Sequence, residues 1–398
     1  MRILHTSDWH LGRTFGPISL IDDQAAFIDW LVELCVDQRV DLVVIAGDLY
    51  DRAIASTEAV GLFRSAVRRL LATGAKVAAI SGNHDGADRV ASYGELLDSS
   101  GLYIRGGYGH IGEVLTLEGS DGPLDLVLLP FLDPQGAPDD LPVDADSETI
   151  GNGSTDADDV VLRRAARTHQ SVLRAAIDAV RPTLLSPRSV AVAHAFVSGG
   201  AVSESERLLT IGGAGTVEAS VFDGFSYTAL GHLHRPQIVG GSVSARYSGT
   251  PLAYSFSEDH PKEVVLVDLA LDGTARVEPI EVPVGRPVCT VSGELSTLLD
   301  PTAHRRARRC FVRAIVTDRE TVLDAKARLA QVYPHVVEVR LEPVGAPAID
   351  AQAAVATREL SPLEATQLFW EAAEGAPPEP DIDTLLRDAV GAALRRRA

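Results

Sequence analysis

Five apolar segments of this chain run into short loops that carry Asp, Asn or His, and four of those loops contain glycine. The four are Ser7-Asp8-Trp9-His10-Leu11-Gly12, Gly47-Asp48-Leu49-Tyr50-Asp51, Gly82-Asn83-His84-Asp85 and Gly231-His232-Leu233-His234. The fifth is His194, in Val192-Ala193-His194-Ala195. The run Val40–Ala46 (VDLVVIA), stopped by Gly47, has the composition of a strand buried on both faces. Ile3-Leu4, Val77–Ile80, Leu124–Pro130, Ser189–Ala193, Phe225–Leu230 and Glu263–Leu269 read as further strands. Between them, Ile21–Gln38 places Phe27, Leu31, Leu34 and Cys35 at helical spacing. Thr57–Thr73 reads as a helix stopped by Gly74, and Asp159–Val180 as another. The alternation predicts an α/β fold whose strand ends feed loops, the place where such folds build ligand sites.

A chain of 398 residues implies two or three units at roughly 100–200 residues each. Residues 1–280 form the expected first domain. Within it Asp133–Asp159, rich in Asp, Gly, Pro and Ser, reads as a surface insertion with no core of its own. The pattern changes around Val282–Pro287. Residues 281–345 then read strand, basic segment, strand, helix, strand, a small α+β domain, and 346–398 form a tail. No apolar run reaches the ~18 residues that span a bilayer, and the first residues lack a secretory leader pattern. Cys35, Cys289 and Cys310 show no metal-ligand spacing. These features predict a soluble cytoplasmic protein with buried thiols and no membrane association. The net charge of −19 taken alone argues against a nucleic-acid binder. That total includes the carboxylates of any metal site, however, and hides local clusters of arginine.

The residue types in the five loops suit divalent cations. Asp and Asn supply oxygen and His supplies nitrogen, and mixed ligation without thiolate fits Mn, Fe or Zn better than Ca. Asp8 and His10 can grip one ion from a single loop. His232 and His234 have the same spacing and could serve neighbouring ions. Asp48 has two oxygens with which to bridge two cations ~3.5–4 Å apart. A lone Asp-x-His is often a loop cap, and His194 alone would be an ordinary buried histidine. Gly-Asn-His-Asp is more specific, since average residue usage yields it by chance in about one chain of this length in a thousand. Asn83 and Asn152 are the only asparagines in the chain, and one of them lies inside this string.

The ordered set D-x-H, G-D, G-N-H-D, H and G-H-x-H resembles the calcineurin-like metallophosphoesterase superfamily. The strings Thr6–Gly12, Ala229–His234 and Tyr247-Ser248-Gly249-Thr250-Pro251-Leu252 are similar to its SbcD-like nuclease subunits, over most of residues 1–270 and again in the tail. The resemblance implies a sandwich of two mixed β-sheets flanked by helices, with a small α+β capping domain and a two-helix tail. It implies that Asp8, His10, Asp48 and His234 hold one metal, and that Asp48, Asn83, His194 and His232 hold the second. Mn²⁺ is the implied ion. His84 would be the non-ligand histidine that stabilises or protonates the leaving oxygen, with Asp85 orienting it. Some relatives carry a histidine after the Gly-Asp segment where this chain has Asp51, so Asp51 receives no catalytic role. The insertion at Asp133–Asp159 is longer and more acidic than the family pattern.

Two regions are candidates for macromolecular contacts. His304-Arg305-Arg306-Ala307-Arg308-Arg309 is the strongest basic cluster outside the tail. It is either a solvated turn or a grip on duplex phosphates, and the resemblance favours DNA contact through Arg305, Arg306, Arg308 and Arg309. Ser203-Glu204-Ser205-Glu206-Arg207 lies in a loop between His194 and His232 and is a weaker candidate for substrate contact. In the tail, Ser361, Pro362 and Glu364 form a helix start with a capping box. Leu363, Phe369 and Trp370 then supply apolar surface. A second helix carries Ile382, Leu385, Leu386, Ala389, Val390, Ala393 and Leu394, and Arg395-Arg396-Arg397 complement its dipole. Two short helices cannot bury such faces alone. They dock on the main body or on a partner, and the resemblance implies the base of an SbcC-like coiled-coil ATPase.

The leading expectation is therefore a two-metal DNA nuclease, a homodimer within a heterotetramer. It would act as a 3′–5′ double-strand exonuclease and a single-strand and hairpin endonuclease in DNA end processing, recombination and repair. The chain has no Gly-x-x-x-x-Gly-Lys-Ser/Thr segment, so ATP use would belong to the partner. Two alternatives remain: a superfamily member acting on cyclic nucleotides or phosphoproteins, and a non-catalytic scaffold.

Overall fold

The structure is a computed structural model that describes residues 1–142, 167–206, 215–300, 302–320, 322–343 and 361–395. Two six-stranded mixed sheets dominate it. In the first, Arg2–Thr6, Leu42–Ala46, Lys76–Ile80 and Leu102–Arg105 run parallel. Glu263–Leu269 and then Ala275–Glu281 add antiparallel strands beside Arg2–Thr6. In the second, Ser242–Tyr247, Tyr227–Gly231, Ser189–His194 and Gly122–Leu129 run parallel. Gln237–Val239 and Leu115–Gly119 close its edges antiparallel.

Leu42–Ala46 shows why the central strands are apolar throughout. Side chains alternate across a sheet. Leu42, Val44 and Ala46 enter the core between the two sheets, with Val190, Val192 and Tyr227 of the second. Val43 and Ile45 point the other way, against Phe27, Leu31, Phe63 and Leu70 of the helices Ile21–Gln38 and Thr57–Ala72. On the far side, the helix His169–Val180 packs Val172, Ala176 and Ile177 on Leu129, Ala191 and Leu230. The result is a helix–sheet–sheet–helix sandwich, as expected. Burying one such Leu, Val or Phe contributes roughly 1.5–3 kcal/mol. Local signals agree with the packing: Ser56 Oγ accepts from Ala59 N–H, and Thr168 and Ser171 form a reciprocal capping box. The helix expected over 159–180 starts later, at His169 behind its cap Thr168; residues 159–166 and most of the insertion lie outside the described residues.

Residues 281–341 add a parallel three-stranded sheet of Val288–Gly293, Phe311–Val316 and Val336–Leu341. Its core gathers Leu298, Val312, Ala314, Leu329 and Tyr333. It is joined to the sandwich by a stack of Phe311 on Phe15, ring centroids 4.7 Å apart. Arg286 lies over Phe311 at 4.6 Å and pairs with Asp23. Residues 1–341 accordingly form one compact unit and 342–398 a second. Cys35 and Cys310 are buried as expected, but Cys289 is half-buried, its Sγ 2.7 Å from that of Cys310. In the second unit Pro362–Glu374 and Pro380–Arg395 are helices, and Ser361 and Glu364 form the predicted capping box. Residues 346–360 and the last three positions, 396–398, lie outside the described residues. No helix among the described residues is long and apolar enough to cross a membrane.

Candidate metal centre

The parallel strands deliver their carboxyl ends to one place. Asp8 and His10 follow Arg2–Thr6, Asp48 follows Leu42–Ala46, and Asn83 and His84 follow Lys76–Ile80. From the second sheet, His194 ends its strand, and His232 and His234 follow Tyr227–Gly231. The turns are abrupt. Among the described residues six non-glycine residues have φ above zero, and four of them are the predicted ligands Asp8 (52°), His10 (43°), Asp48 (46°) and His232 (110°). Such conformations cost of order 1–3 kcal/mol each and persist where the surroundings impose them. Here backbone bonds do so: Asp8 N–H donates to Gly47 O at 3.0 Å and His10 N–H to Asp48 O at 2.9 Å. Gly231 has to be glycine, because a Cβ there would run into the Ala46 carbonyl.

Three sets of ligand atoms lie within 4.8 Å of one another: Asp8, His10 and His234; Asp8, Asp48 and His194; and His10, Asp48 and His84. Asn83 Oδ1 closes the second side, 2.9 Å from His194 Nε2 and 3.1 Å from His232 Nδ1. All seven predicted ligands are thus brought together. His194 Nδ1–H donates to Ala46 O at 3.0 Å, which leaves Nε2 with its lone pair 3.6 Å from Asp48 Oδ2. His10 Nε2 and His234 Nε2 are 3.3 Å apart.

The electrostatics fit a dication. Burial, reinforced by Asp48, pushes the Asp8 carboxyl well above its ordinary range. Burial, then neighbouring imidazoles, holds His10 and His232 well below theirs, and burial takes His194 down to about 4. Neutral imidazole lone pairs and crowded carboxylates therefore face one enclosed space. His10 Nδ1 is buried and finds no hydrogen-bond partner among the described residues. Divalent charge would relieve the repulsion between Asp8 and Asp48.

His84 is 8% exposed, and its ring packs edge-on against His10, centroids 4.6 Å apart. Its Nδ1–H donates to the Asp51 carbonyl at 3.0 Å. The expectation that Asp85 orients His84 needs correction. The Asp85 carboxylate accepts from the N–H groups of Gly82, Leu49 and Tyr50 at 2.9–3.0 Å, so it ties two ligand loops together. Burial, then Asp48, pushes its pKa up to about 7.

Several residues that sequence reasoning missed surround the ligands. Glu258 Oε1 lies 3.2 Å from His234 Nδ1. Ser7 Oγ donates to Asp8 at 2.6 Å. Arg13, stacked over Tyr254, donates to Asp51 and to the Ser205 carbonyl, each at 3.3 Å. The Ser203–Glu206 loop reaches the back of a predicted ligand, where Glu206 Oε1 accepts from His234 N–H at 2.6 Å. Arg207 lies outside the described residues. The basic cluster is a 3₁₀ turn, Arg305–Arg309, seated by buried Ala307, with all four arginines exposed.

A strand-end cluster of carboxylates, amide and imidazoles in a two-sheet sandwich defines a metal-dependent phosphoesterase. A family model described as calcineurin-like phosphoesterase matches residues 1–160. A second, described as the type 5 capsule protein repressor C-terminal domain and labelled for SbcD, matches residues 284–374. The chain belongs to the calcineurin-like metallophosphoesterases, in their SbcD-type nuclease branch, and is a metal-dependent hydrolase of phosphodiester bonds. His194, His232 and His234 fall between the two matched ranges, so the structure alone brings them to the centre. Among solved structures, the protein TT1561 of Thermus thermophilus is similar over 71% of this chain and 98% of that chain, at 15% identity and a TM-score of 0.37.

Proposed function

We propose that this chain is a two-metal, Mn²⁺-dependent DNA nuclease. It degrades duplex ends 3′ to 5′, opens hairpins and cuts single strands, as the homodimeric nuclease part of a cytoplasmic heterotetramer with an SbcC-like ATPase. Its role is DNA end processing in recombination and repair. The observation that carries this reading is the convergence of Asp8, His10, Asp48, Asn83, His194, His232 and His234 around one space with His84 at its edge. The tail helices and the SbcD-type domain support the partner.

Asp8, His10, Asp48 and His234 would hold one cation, and Asp48, Asn83, His194 and His232 the other. When bound, two such ions neutralise the phosphate and acidify water at neutral pH. The protein's own groups do the rest. The Ala46 carbonyl fixes the His194 tautomer, and the Asp51 carbonyl fixes the His84 ring. In its imidazolium form, with a proton on each ring nitrogen, His84 would present Nε2–H to the departing oxygen and donate a hydrogen bond or that proton. Asp85 is a positioning residue that holds the Asp48 and Asn83 loops in register.

The test is degradation of end-labelled linear duplex DNA by the purified chain in Mn²⁺. Controls are a chelator, His84→Ala and a generic phosphodiester chromogen. Shortening that needs both metal and His84 is expected. Hydrolysis of the chromogen with DNA untouched, even with the ATPase partner added, would overturn the DNA assignment and leave a small-molecule or phosphoprotein substrate.

A further inference from the structure

His234 and His10 present a tautomer problem. Their Nε2 atoms lie 3.3 Å apart, so each can serve as a ligand only if neither carries its proton there. For His234 the proton has a defined place. Its Nδ1 lies 2.6 Å from Ser205 Oγ and 3.2 Å from Glu258 Oε1, and Ser205 Oγ itself bonds Glu258 Oε1. The consistent assignment has Nδ1–H donating to this pair while the serine hydroxyl donates to the carboxylate.

The other oxygen of Glu258 is fully used. Oε2 accepts from Tyr254 N–H at 3.2 Å, from Thr250 Oγ1 at 3.0 Å and from Lys262 Nζ. Lys262 Nζ also donates to Thr250 Oγ1 at 2.8 Å. The Glu258 side chain is wholly buried and that of Lys262 is 9% exposed. A buried charge pair with every acceptor filled holds one geometry, and breaking it is costly.

We infer that Glu258, neutralised by Lys262, is a positioning residue for the metal centre: it fixes the Nδ1–H tautomer of His234 and strengthens Nε2 as a ligand. Outer-shell carboxylates of this kind raise imidazole basicity, and losing one weakens metal binding about 10–100-fold. The inference rests on the proposed ligand set. It adds a residue from a loop, Ser255–Lys262, that no ligand motif marks. The competing role is purely local, in which Glu258 only closes the turn from Thr250 to Lys262.

The test titrates Mn²⁺ into metal-free protein by calorimetry, wild type against Glu258→Gln/Lys262→Met. Both charges are removed together so that neither is left buried alone. The expected result is two binding steps in the wild type, one of them weakened about 10–100-fold in the variant with the other unchanged. Unchanged affinity at both steps would overturn the role of Glu258 and leave the metal centre standing. A wild type that takes up no metal would instead overturn the metal centre itself. If the double variant fails to fold, ¹⁵N spectra of histidine-labelled, metal-free wild type decide, with His234→Gln assigning the signal. A proton on Nδ1 of His234 is expected, and a proton on Nε2 overturns the inference.

Discussion

His84 Nδ1 sits 3.0 Å from the backbone carbonyl of Asp51, and a carbonyl can only accept, so Nδ1 carries a proton there. A backbone acceptor fixes the ring without adding charge. His84→Gln is expected to lower kcat by about 10²–10⁴. Mn²⁺ affinity should stay within a few-fold of wild type, because His84 acts on the leaving oxygen. Calorimetry beside turnover would check both. A large loss of metal affinity would make His84 a ligand, as its proximity to His10 and Asp48 allows.

Asp85 makes the opposite prediction. Its carboxylate takes three backbone N–H groups from the loops after two strands. Asp85→Asn keeps one oxygen and turns an amide donor towards a donor. Each N–H left without an acceptor costs about 1–3 kcal/mol. The variant should melt at a clearly lower temperature, with turnover and metal affinity falling together. Unchanged stability with a shifted pH–rate profile would restore the orienting role read from the sequence.

These two residues mark what the sequence could convey. Strands buried on both faces, such as Leu42–Ala46, announce themselves by composition, and the ligand loops by their glycines. The strands Leu102–Arg105, Leu115–Gly119, Gln237–Val239, Ser242–Tyr247 and Ala275–Glu281 were not legible. Ala275–Glu281 is a half-exposed edge carrying Pro279, which weakens any strand pattern. Neighbouring residues in sequence also suggested the wrong partner for His84, since Asp85 follows it yet points to backbone. Glu258 lies in a loop that carries none of the ligand motifs. One signal was available: Lys262, four residues on, is one of only three lysines in the chain. A scarce charged residue at that spacing from an acid hints at a buried pair.

The small domain should not melt on its own. Phe311 stacks on Phe15 and lies under Arg286, which pairs with Asp23 of the helix Ile21–Gln38. Truncating a buried Phe costs about 3–5 kcal/mol. Phe311→Ala in residues 1–345 is expected to replace one cooperative thermal transition with a lower or a split one. Calorimetry would show it, and an unchanged single transition would mean that the stack is incidental.

Arg305, Arg306, Arg308 and Arg309 project from a turn whose buried member is Ala307, so their charge can change without disturbing the core. If they meet duplex phosphates, replacing all four with Gln should weaken DNA binding uniformly across sequences. It should also flatten the plot of log affinity against log salt by about 0.9 per lost contact. Fluorescence anisotropy at several salt concentrations measures both. An unaltered slope would return the cluster to the solvated surface.

The tail separates folding from partnership. Residues 342–398 are a compact unit distinct from 1–341. Their two helices pack Ile382, Leu386 and Val390 half-buried, while Phe369 stays 72% exposed and Leu385 63%. A bulky apolar stripe left outside its own helix pair fits a groove on another helical surface. Deleting residues 346–398 is therefore expected to leave the thermal midpoint of the main unit within a degree or two, since 342–398 is a separate compact unit. Basal metal-dependent hydrolysis should survive, and pull-down of the coiled-coil ATPase should be lost. Phe369→Asp with Leu385→Asp in the full chain should reproduce that loss without shortening the tail. Retained pull-down in both would place the partner site on the main unit, and a collapsed midpoint after deletion would show that the helices dock there.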